Sequence, residues 1–454
     1  MLAPINKIPP EIFTLIPDFW DTCDRYQDVI ALTHVCHAWR EVFVSRSSLW
    51  TNFNCLDEEK TLVYLERSKS SPINLSLNPR RGIPPRDLFQ LISHATGRLK
   101  SISVKGWSEY VEAVTSRLSH PAPLLEHLSI TFDPPRTPGH YPALPFALFN
   151  GDLSSLRTLH LEFVHTELPW RNMVNLTSLA LAHIPSEAVS AARLLDFFES
   201  APYLEDVKLR CATPTTGIQG GRLVSLGCLK SMDIEAGVLC SALLNHLLIP
   251  VGAKLEIQAD LLDSSLIEEY LPRSLDNLKN FSDFTAIELY PNEYCQRVKF
   301  SGPNGQVNIT LRDDRTELIL GFLTELDTSK TERLKIDRSQ LLSRGPLYQA
   351  LLPMKNLRTL TILKCGFPYV PIHALKPVAS SSGVVVCPKL EELVLVPGPY
   401  ESTSYITVIN MVAARALRGE KLRTLRIVAR FGAASHEVSE LRKYVYNVEF
   451  GPMV

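Results

Sequence analysis

Three short stretches in this sequence could do chemistry, and each lacks a necessary partner. His436-Glu437 in "SHEVSE" opens like a zinc-protease helix, in which a second histidine one turn later completes the metal pair, and none follows. Cys36-His37 has the residue types of a nucleophile and its base, but neighbours on a helix point apart, and Cys36 reads as a core residue. "GIQGGR" from Gly217 lacks dinucleotide-loop spacing and follows a Pro/Thr stretch instead of a strand. Nine cysteines are scattered without a Cys-x-x-Cys pair, and neither a Gly-x-Ser-x-Gly elbow nor a phosphate loop occurs. An enzyme must bring acid, base, nucleophile or metal ligands together. The expectation is therefore a protein with no catalytic, cofactor or metal site, which acts by binding.

Two kinds of element could do that binding. The first lies within the first fifty residues. Pro9-Pro10-Glu11 suits a helix start, because proline presets φ and an acid favours the positive end of the helix. Ile12, Leu15 and Ile16 follow at helical spacing, and Pro17 closes the segment. A second helix is expected from about Asp28, with Val29, Leu32, Val35, Cys36 and Trp39 on one face. A third short element ends in "SSLW". Three helices in so short a span make a small core, so part of the apolar face should pack against the rest of the chain or against another protein.

Taken together, Ile8-Pro9-x-Glu11-Ile12, Val35-Cys36-x-x-Trp39-Arg40 and Leu49-Trp50 resemble the F-box, a three-helix module, over about residues 5 to 53. The connector from Asp18 to Asp28 is longer than is usual there. F-box modules bind a Skp-family adaptor that links them to a cullin ubiquitin ligase. The resemblance implies an adaptor interface among Ile8, Pro9, Glu11, Ile12, Leu32, Val35, Cys36, Trp39, Leu49 and Trp50, with part of that face forming internal core.

The second element is a repeated phrase, Leu-x-x-Leu-x-Leu. It appears as "LKSISV" at Leu99, "LEHLSI" at Leu125, "LRTLHL" at Leu156, "LTSLAL" at Leu176, "LEDVKL" at Leu204 and "LKSMDI" at Leu229. It returns as "LRTLTI" at Leu357, "LEELVL" at Leu390 and "LRTLRI" at Leu422, with weaker copies at Phe284 and Thr331. Spacings of about 20 to 33 residues bracket the leucine-rich-repeat period. The last two apolar positions are two apart on a short strand and point into one core. Segments such as "ARLLDFFESAPY" fit returning helices, so units must stack to bury themselves. The Asn or Cys that follows such phrases is mostly missing, Cys365 being the clearest candidate, so an irregular array is expected. Stretches rich in Pro and Gly at 132–146, 211–222, 378–388 and 396–405 read as surface loops.

The fold expectation is α+β or α/β: a three-helix F-box-like module at 1–55, a linker or cap at 56–98, and an irregular leucine-rich-repeat solenoid at 99–454. A net charge of −1 offers no electrostatic reason for nucleic acid or an anionic membrane as partner. The most apolar window, Val238 to Ala253, is too short to span a bilayer and reads as a buried helix. With no signal peptide in "MLAPINKIPPEIF", the chain is expected inside the cell, cytoplasmic or nuclear, and the four Asn-x-Ser/Thr sequons as chance matches.

Outward strand positions include Thr158, His160 and Glu162, then Asp206, Lys208 and Arg210, then Asp233 and Glu235, then Arg333, Lys335 and Asp337. The later repeats expose Val394, Val396, Arg426 and Val428, and the adjoining loop carries Tyr400 and Tyr405, so these six residues are the expected target-binding surface. The functional expectation is a substrate-recruiting subunit of a cullin-type ligase. A scaffold that binds a partner without promoting its degradation is the alternative.

Overall fold

The computed structural model describes residues 12, 25–54, 58–78, 86–134, 141–144, 148–166, 173–185, 190–210, 221–235, 239–260, 277–312, 315–365, 370–377, 385–398, 405–428 and 435–451. The chain forms two compact units, Met1–Ile218 and Gln219–Val454, in a mixed α/β fold with a large parallel sheet, consistent with a repeat solenoid.

In the first unit, helices α1 (Arg25–Leu32) and α2 (His37–Ser45) and a 3-10 turn (Ser47–Trp50) lead into seven strands: β1 (Asn52–Asn54), β2 (Ile73–Leu77), β3 (Leu99–Gly106), β4 (His127–Phe132), β5 (Thr158–Glu162), β6 (Ser178–Ala182) and β7 (Asp206–Arg210). Each pairs in parallel with its successor. Parallel neighbours need a crossover, and helices α3 (Glu58–Arg67), α4 (Arg86–Ala95), α5 (Ser108–Thr115) and α6 (Ala191–Ser200) supply four of them. Leu159 and Leu161 on β5 are completely buried while Thr158, His160 and Glu162 remain partly open, as the phrase requires. The leading leucines Leu125, Leu156, Leu176 and Leu204 are buried as well, so all three apolar positions of the phrase serve the core.

Successive turns are tied by a repeating bond pattern. The Glu126 carbonyl accepts from the Arg157 and Thr158 amides, Arg157 from Thr177 and Ser178, and Thr177 from Glu205 and Asp206. Side chains ahead of the leading leucine add to it: Ser155 donates to the Pro123 carbonyl at 2.6 Å and Asn175 to that of Ser154 at 2.7 Å. In the second unit Asn356 donates to the Ser329 carbonyl at 2.8 Å. At the strand exits, Phe163, His183, Arg338 and Lys364 adopt left-handed backbone, which costs a non-glycine residue on the order of 1–2 kcal/mol. The Phe163 amide then reaches the Ala182 carbonyl, and that of Arg338 the Leu363 carbonyl, which offsets the strain.

The second unit holds strands β8 (Val224–Ser225), β9 (Ser231–Glu235), β10 (Leu247–Leu248), β11 (Lys254–Asp260), β12 (Ala286–Pro291), β13 (Gln296–Gly302), β14 (Gly305–Arg312), β15 (Arg333–Asp337), β16 (Thr359–Cys365), β17 (Glu392–Pro397), β18 (Leu422–Val428) and β19 (Val445–Gly451). Its helices are α7 (Leu239–Leu244), α8 (Thr316–Glu325), α9 (Arg344–Leu351), α10 (Val370–Leu375), α11 (Tyr405–Ala416) and α12 (Ser435–Tyr444). The spatial order is β9-β11-β14-β13-β12-β15-β16-β17-β18-β19, with β8 and β10 forming a separate parallel pair.

Four sequence expectations are corrected. The helix expected from Asp28 through Trp39 is two helices: Thr33 turns its hydroxyl onto the Ile30 carbonyl at 2.7 Å, and the chain restarts at Cys36 in extended backbone. Cys36 is exposed, because it precedes a helix instead of sitting inside one. The sheet begins at Asn52, inside the span assigned to the helical module and linker; "INLSL" at β2 buries Ile73, Leu75 and Leu77 in strict alternation but lacks the leading leucine of the phrase. Among the described residues of the apolar window, only Leu239–Leu244 are helical. The backbone then joins β8 through β10, and Leu248 and Val251 are exposed.

One feature has no counterpart in the repeat reading: β13 runs antiparallel to both β12 and β14. Its turn, Gly302-Pro303-Asn304-Gly305, requires glycine at 302, where a Cβ would lie 2.5 Å from the Asp283 carbonyl oxygen. Asn280, buried and donating to the carbonyls of Pro250, Ala253 and Asn304, fastens this turn to the approach of β11.

Candidate interaction surfaces

The helical segment is a corner held from inside. α1 ends with carbonyls that no further helical turn can satisfy. Arg40 on α2 donates through Nε to the Thr33 carbonyl at 2.9 Å and joins the two helices there. Trp39 and Phe43 form its core with ring centroids 5.6 Å apart, and Leu32, Val42 and Leu49 pack around them. Trp50 is fully buried: its indole N–H donates to the Phe43 carbonyl at 2.8 Å, Tyr64 of α3 meets it edge-on at 4.9 Å, and the Arg67 guanidinium lies 4.3 Å above the ring.

Of the ten residues expected at an adaptor interface, Trp39 and Trp50 are therefore interior packing. An indole of that size at the meeting of α2, α3 and β1 closes the local core. Leu32 and Leu49 are half-buried. The outward apolar side chains are Val35, 56% exposed, and Ile12, 49% exposed, with Cys36 open beside Val35. Ile8, Pro9 and Glu11 lie outside the described residues.

The outward face of the first sheet is built largely of small polar side chains, with His127 and His160 among them. One ladder row runs Asn54, Ser76, Ser103, Ser129, His160, Ala180 and Lys208; its neighbour runs Asn52, Asn74, Ser101, His127, Thr158, Ser178 and Asp206. Charges enter chiefly at the β7 end and beside the rows, where Lys100 meets Glu126 at 3.5 Å; the His160 ring lies 3.9 Å from Glu162.

The second face is dominated by paired charge. Glu288 accepts a hydrogen bond from the Tyr290 hydroxyl, and Lys335 and Lys299 stand 3.4 and 3.6 Å from its oxygens. The Tyr290 bond holds the Glu288 carboxyl below the ordinary glutamate range, with both lysines adding to it and burial opposing. Burial, then the bond to Glu288, raises the Tyr290 hydroxyl. Arg312 meets Glu235 at 2.7 Å, Lys364 meets Asp337 at 3.0 Å and Arg426 meets Glu449 at 2.8 Å. A shallow hollow of about 320 Å³ sits beside this network, lined by Glu288, Ser301, Arg333, Lys335, Thr359 and Thr361 among others. Among the described residues, no group of three or more His, Cys, Asp or Glu side chains is placed to hold a metal ion. No described helix is long and apolar enough to cross a membrane.

No protein-family model matches this sequence, and no curated protein is similar to it. Among solved structures, the crystal structure of Listeria monocytogenes InlP is similar over 59% of this chain and 89% of that one, with a TM-score of 0.22 and 12% sequence identity. Neither fold nor function is drawn from so distant a likeness. The F-box resemblance rests on the residues quoted for it.

The expected target-binding residues divide. Val394, Val396 and Val428 lie half-buried on the outward face of β17 and β18, and Leu363, which the sequence reading passed over, pairs directly with Val396. Arg426 shares that face but is engaged by Glu449. Tyr405 opens α11 and its ring meets Phe450 at 6.5 Å, away from the valine row, while Tyr400 lies outside the described residues.

Sequence reasoning also missed Arg415 of α11, which is completely buried. Its Nη1 donates to the Val386 carbonyl at 2.7 Å and its Nη2 to that of Cys387 at 2.8 Å. Burial lowers the Arg415 pKa and pushes the neighbouring Cys387 thiol up to about 12, which keeps that thiol protonated and inert. In sequence, Arg415 in "ARALRG" looks like an ordinary surface cation on a helix.

Proposed function

We propose that this chain is a substrate-recognition subunit of a cullin-type ubiquitin ligase. The helical segment would hold a Skp-family adaptor and the repeat sheet a target protein. The observation that carries the reading is the α1–α2 corner: Val35 and Cys36 project to solvent from a turn that Arg40 locks and Trp39 supports. An apolar side chain fixed on a rigid corner, within the stretch that resembles the F-box, suits a partner's pocket better than a solvated surface. The chain would do no bond chemistry. It would raise the target's effective concentration near the ubiquitin-carrying enzyme. On the target side, the reading assigns the row of Leu363, Val396 and Val428 with Val394 beside it.

The test compares the intact chain with Val35→Asp recovered from cells. Skp-family adaptor and cullin should both accompany the intact chain and be lost from the variant, with the thermal unfolding midpoint unchanged. Adaptor without cullin would favour the non-degradative scaffold instead, and recovery of neither partner would remove the reading altogether.

A further inference from the structure

The last strand of the second unit, β19, is partly uncovered. β19 pairs with β18 along one edge, Leu425 opposite Val448 and Ile427 opposite Phe450, and its other edge has no strand partner among the described residues. Leu425 and Ile427 are completely buried, whereas Val448, at an equivalent core position, is half-buried and Phe450 is 36% exposed. Tyr446 is 73% exposed, with the Lys421 ammonium 4.5 Å from the centre of its ring. A seven-residue edge with unpaired backbone groups and three apolar side chains is a template for another strand.

We infer that β19 is a self-association edge, on which the β19 of a second copy of this chain pairs antiparallel with its centre at Val448. The order of residues selects that occupant. In "VYNVEFG" an antiparallel copy centred on Val448 sets Val448 against itself, Tyr446 against Phe450 and Asn447 against Glu449. Tyr–Phe and Val–Val are favourable cross-strand pairs. Asn447 already donates to Glu449 within the strand at 2.7 Å, so the amide and carboxylate that would face each other across the two-fold are chemically matched. No like charges oppose in this register. Centring on Glu449 would set two carboxylates face to face, and centring on Asn447 would put Val445 opposite Glu449.

The pairing would also extend the core. Tyr446, Val448 and Phe450 of both copies would lie side by side where each copy alone leaves them only partly covered. Tyr405 brings the start of α11 to the same place through its contact with Phe450, and Ile406 beside it is 68% exposed. The inference does not depend on the ligase reading, because it concerns only the second unit and needs no adaptor.

Sedimentation equilibrium of the purified full chain over a concentration series tests it. The expected result is a reversible dimer. Tyr446→Lys, a change at an exposed edge position, should raise its dissociation constant by about tenfold or more, with the urea midpoint unchanged at concentrations where both proteins are monomeric. In a second measurement, Val448→Cys should give an intermolecular disulfide on mild oxidation that peptide mapping places at 448–448, because cross-strand partners lie within disulfide reach. Asn447→Cys should not self-link, since residue 449 stands opposite it. A chain that stays monomeric throughout overturns the inference. So does a dimer indifferent to Tyr446→Lys, or cross-linking by Val448→Cys no greater than that of the unmodified chain.

Discussion

On the outward face of the first unit, neighbouring strands set Ser76, Ser103 and Ser129 side by side. On that of the second, the middle row passes through Glu256, Asn308, Lys299, Glu288 and Lys335. Beneath both faces lie the same buried aliphatic pairs, such as Leu159 with Leu161 and Leu334 with Ile336. The inward positions are constrained by a shared packing problem, so they repeat. The outward ones are released from it and have gone different ways: low relief and hydroxyls in one unit, long paired charges in the other. A partner meeting the first face can approach the backbone closely. A partner meeting the second must displace or insert beside ion pairs that already satisfy each other, except along the row of Leu363, Val396 and Val428.

The contrast between inward and outward positions should be measurable, and it carries the largest expected effect. Leu159→Ala or Leu179→Ala in the first unit, and Leu360→Ala or Leu425→Ala in the second, should each cost about 2–5 kcal/mol in urea denaturation. Thr158→Ala, Ser178→Ala, Thr359→Ala and Thr424→Ala should stay within about 0.5 kcal/mol. Similar losses in both sets would mean the strand phase is wrong.

Next in size is Gly302→Ala. Its new methyl would meet the Asp283 carbonyl at a separation real atoms do not adopt, so the β13–β14 turn must shift, at about 1–3 kcal/mol. The same change at Gly221, which has open space around it, should be nearly silent. Equal effects would show that the turn is less tight than described.

On the ligase reading, Val394→Asp should weaken capture of a target several-fold in a binding assay while adaptor recovery is unchanged. If capture survives but is lost on replacing Asp206, Lys208 and Arg210 together, the recognising face belongs to the first unit.

The smallest effect is one of pH. The Glu288 carboxyl is held low by Tyr290 and its two lysines, so the folded chain gives up that proton more readily than the unfolded one. Its contribution to stability is complete above the ordinary glutamate range and is lost as pH falls through the folded value. Glu288→Gln should therefore flatten that part of the acid-unfolding curve, with the gap to the unmodified chain narrowing at the lowest pH. A constant gap at every pH would show that Glu288 acts by packing alone.

How legible these features were follows from the range of the forces behind them. Leucine phrases are local and period-bound, so β5, β6, β16, β17 and β18 could be read directly. β2 could not, because its leucine-free opening departs from the phrase although "INLSL" alternates as a strand should. The β13–β14 hairpin was visible in "GPNG" between alternating segments, but a search for parallel repeats passes over it. Arg415 was illegible in principle, since its burial is decided by carbonyls nearly thirty residues upstream. In the helical segment Trp39 and Trp50 were found and Phe43 was not, and that Trp50 faces inward depends on α3, whose Tyr64 and Arg67 enclose it. The break after Leu32 was not legible, since a threonine hydroxyl bonded to the carbonyl three residues back, as in Thr33, also occurs inside helices.

The reversed strand β13 has a mechanical meaning. From β16 onward each strand holds to the one before it in sequence, so a chain drawn by its C-terminus should come away one repeat at a time. That unzipping must stop at β12. There the strand beside β15 is the first of a folded-back trio whose last member, β14, grips β11. To let go of β11, the chain must shear β14 along its whole length of seven paired positions while β13 still braces it. A force trace should therefore show a train of small releases, then one larger peak.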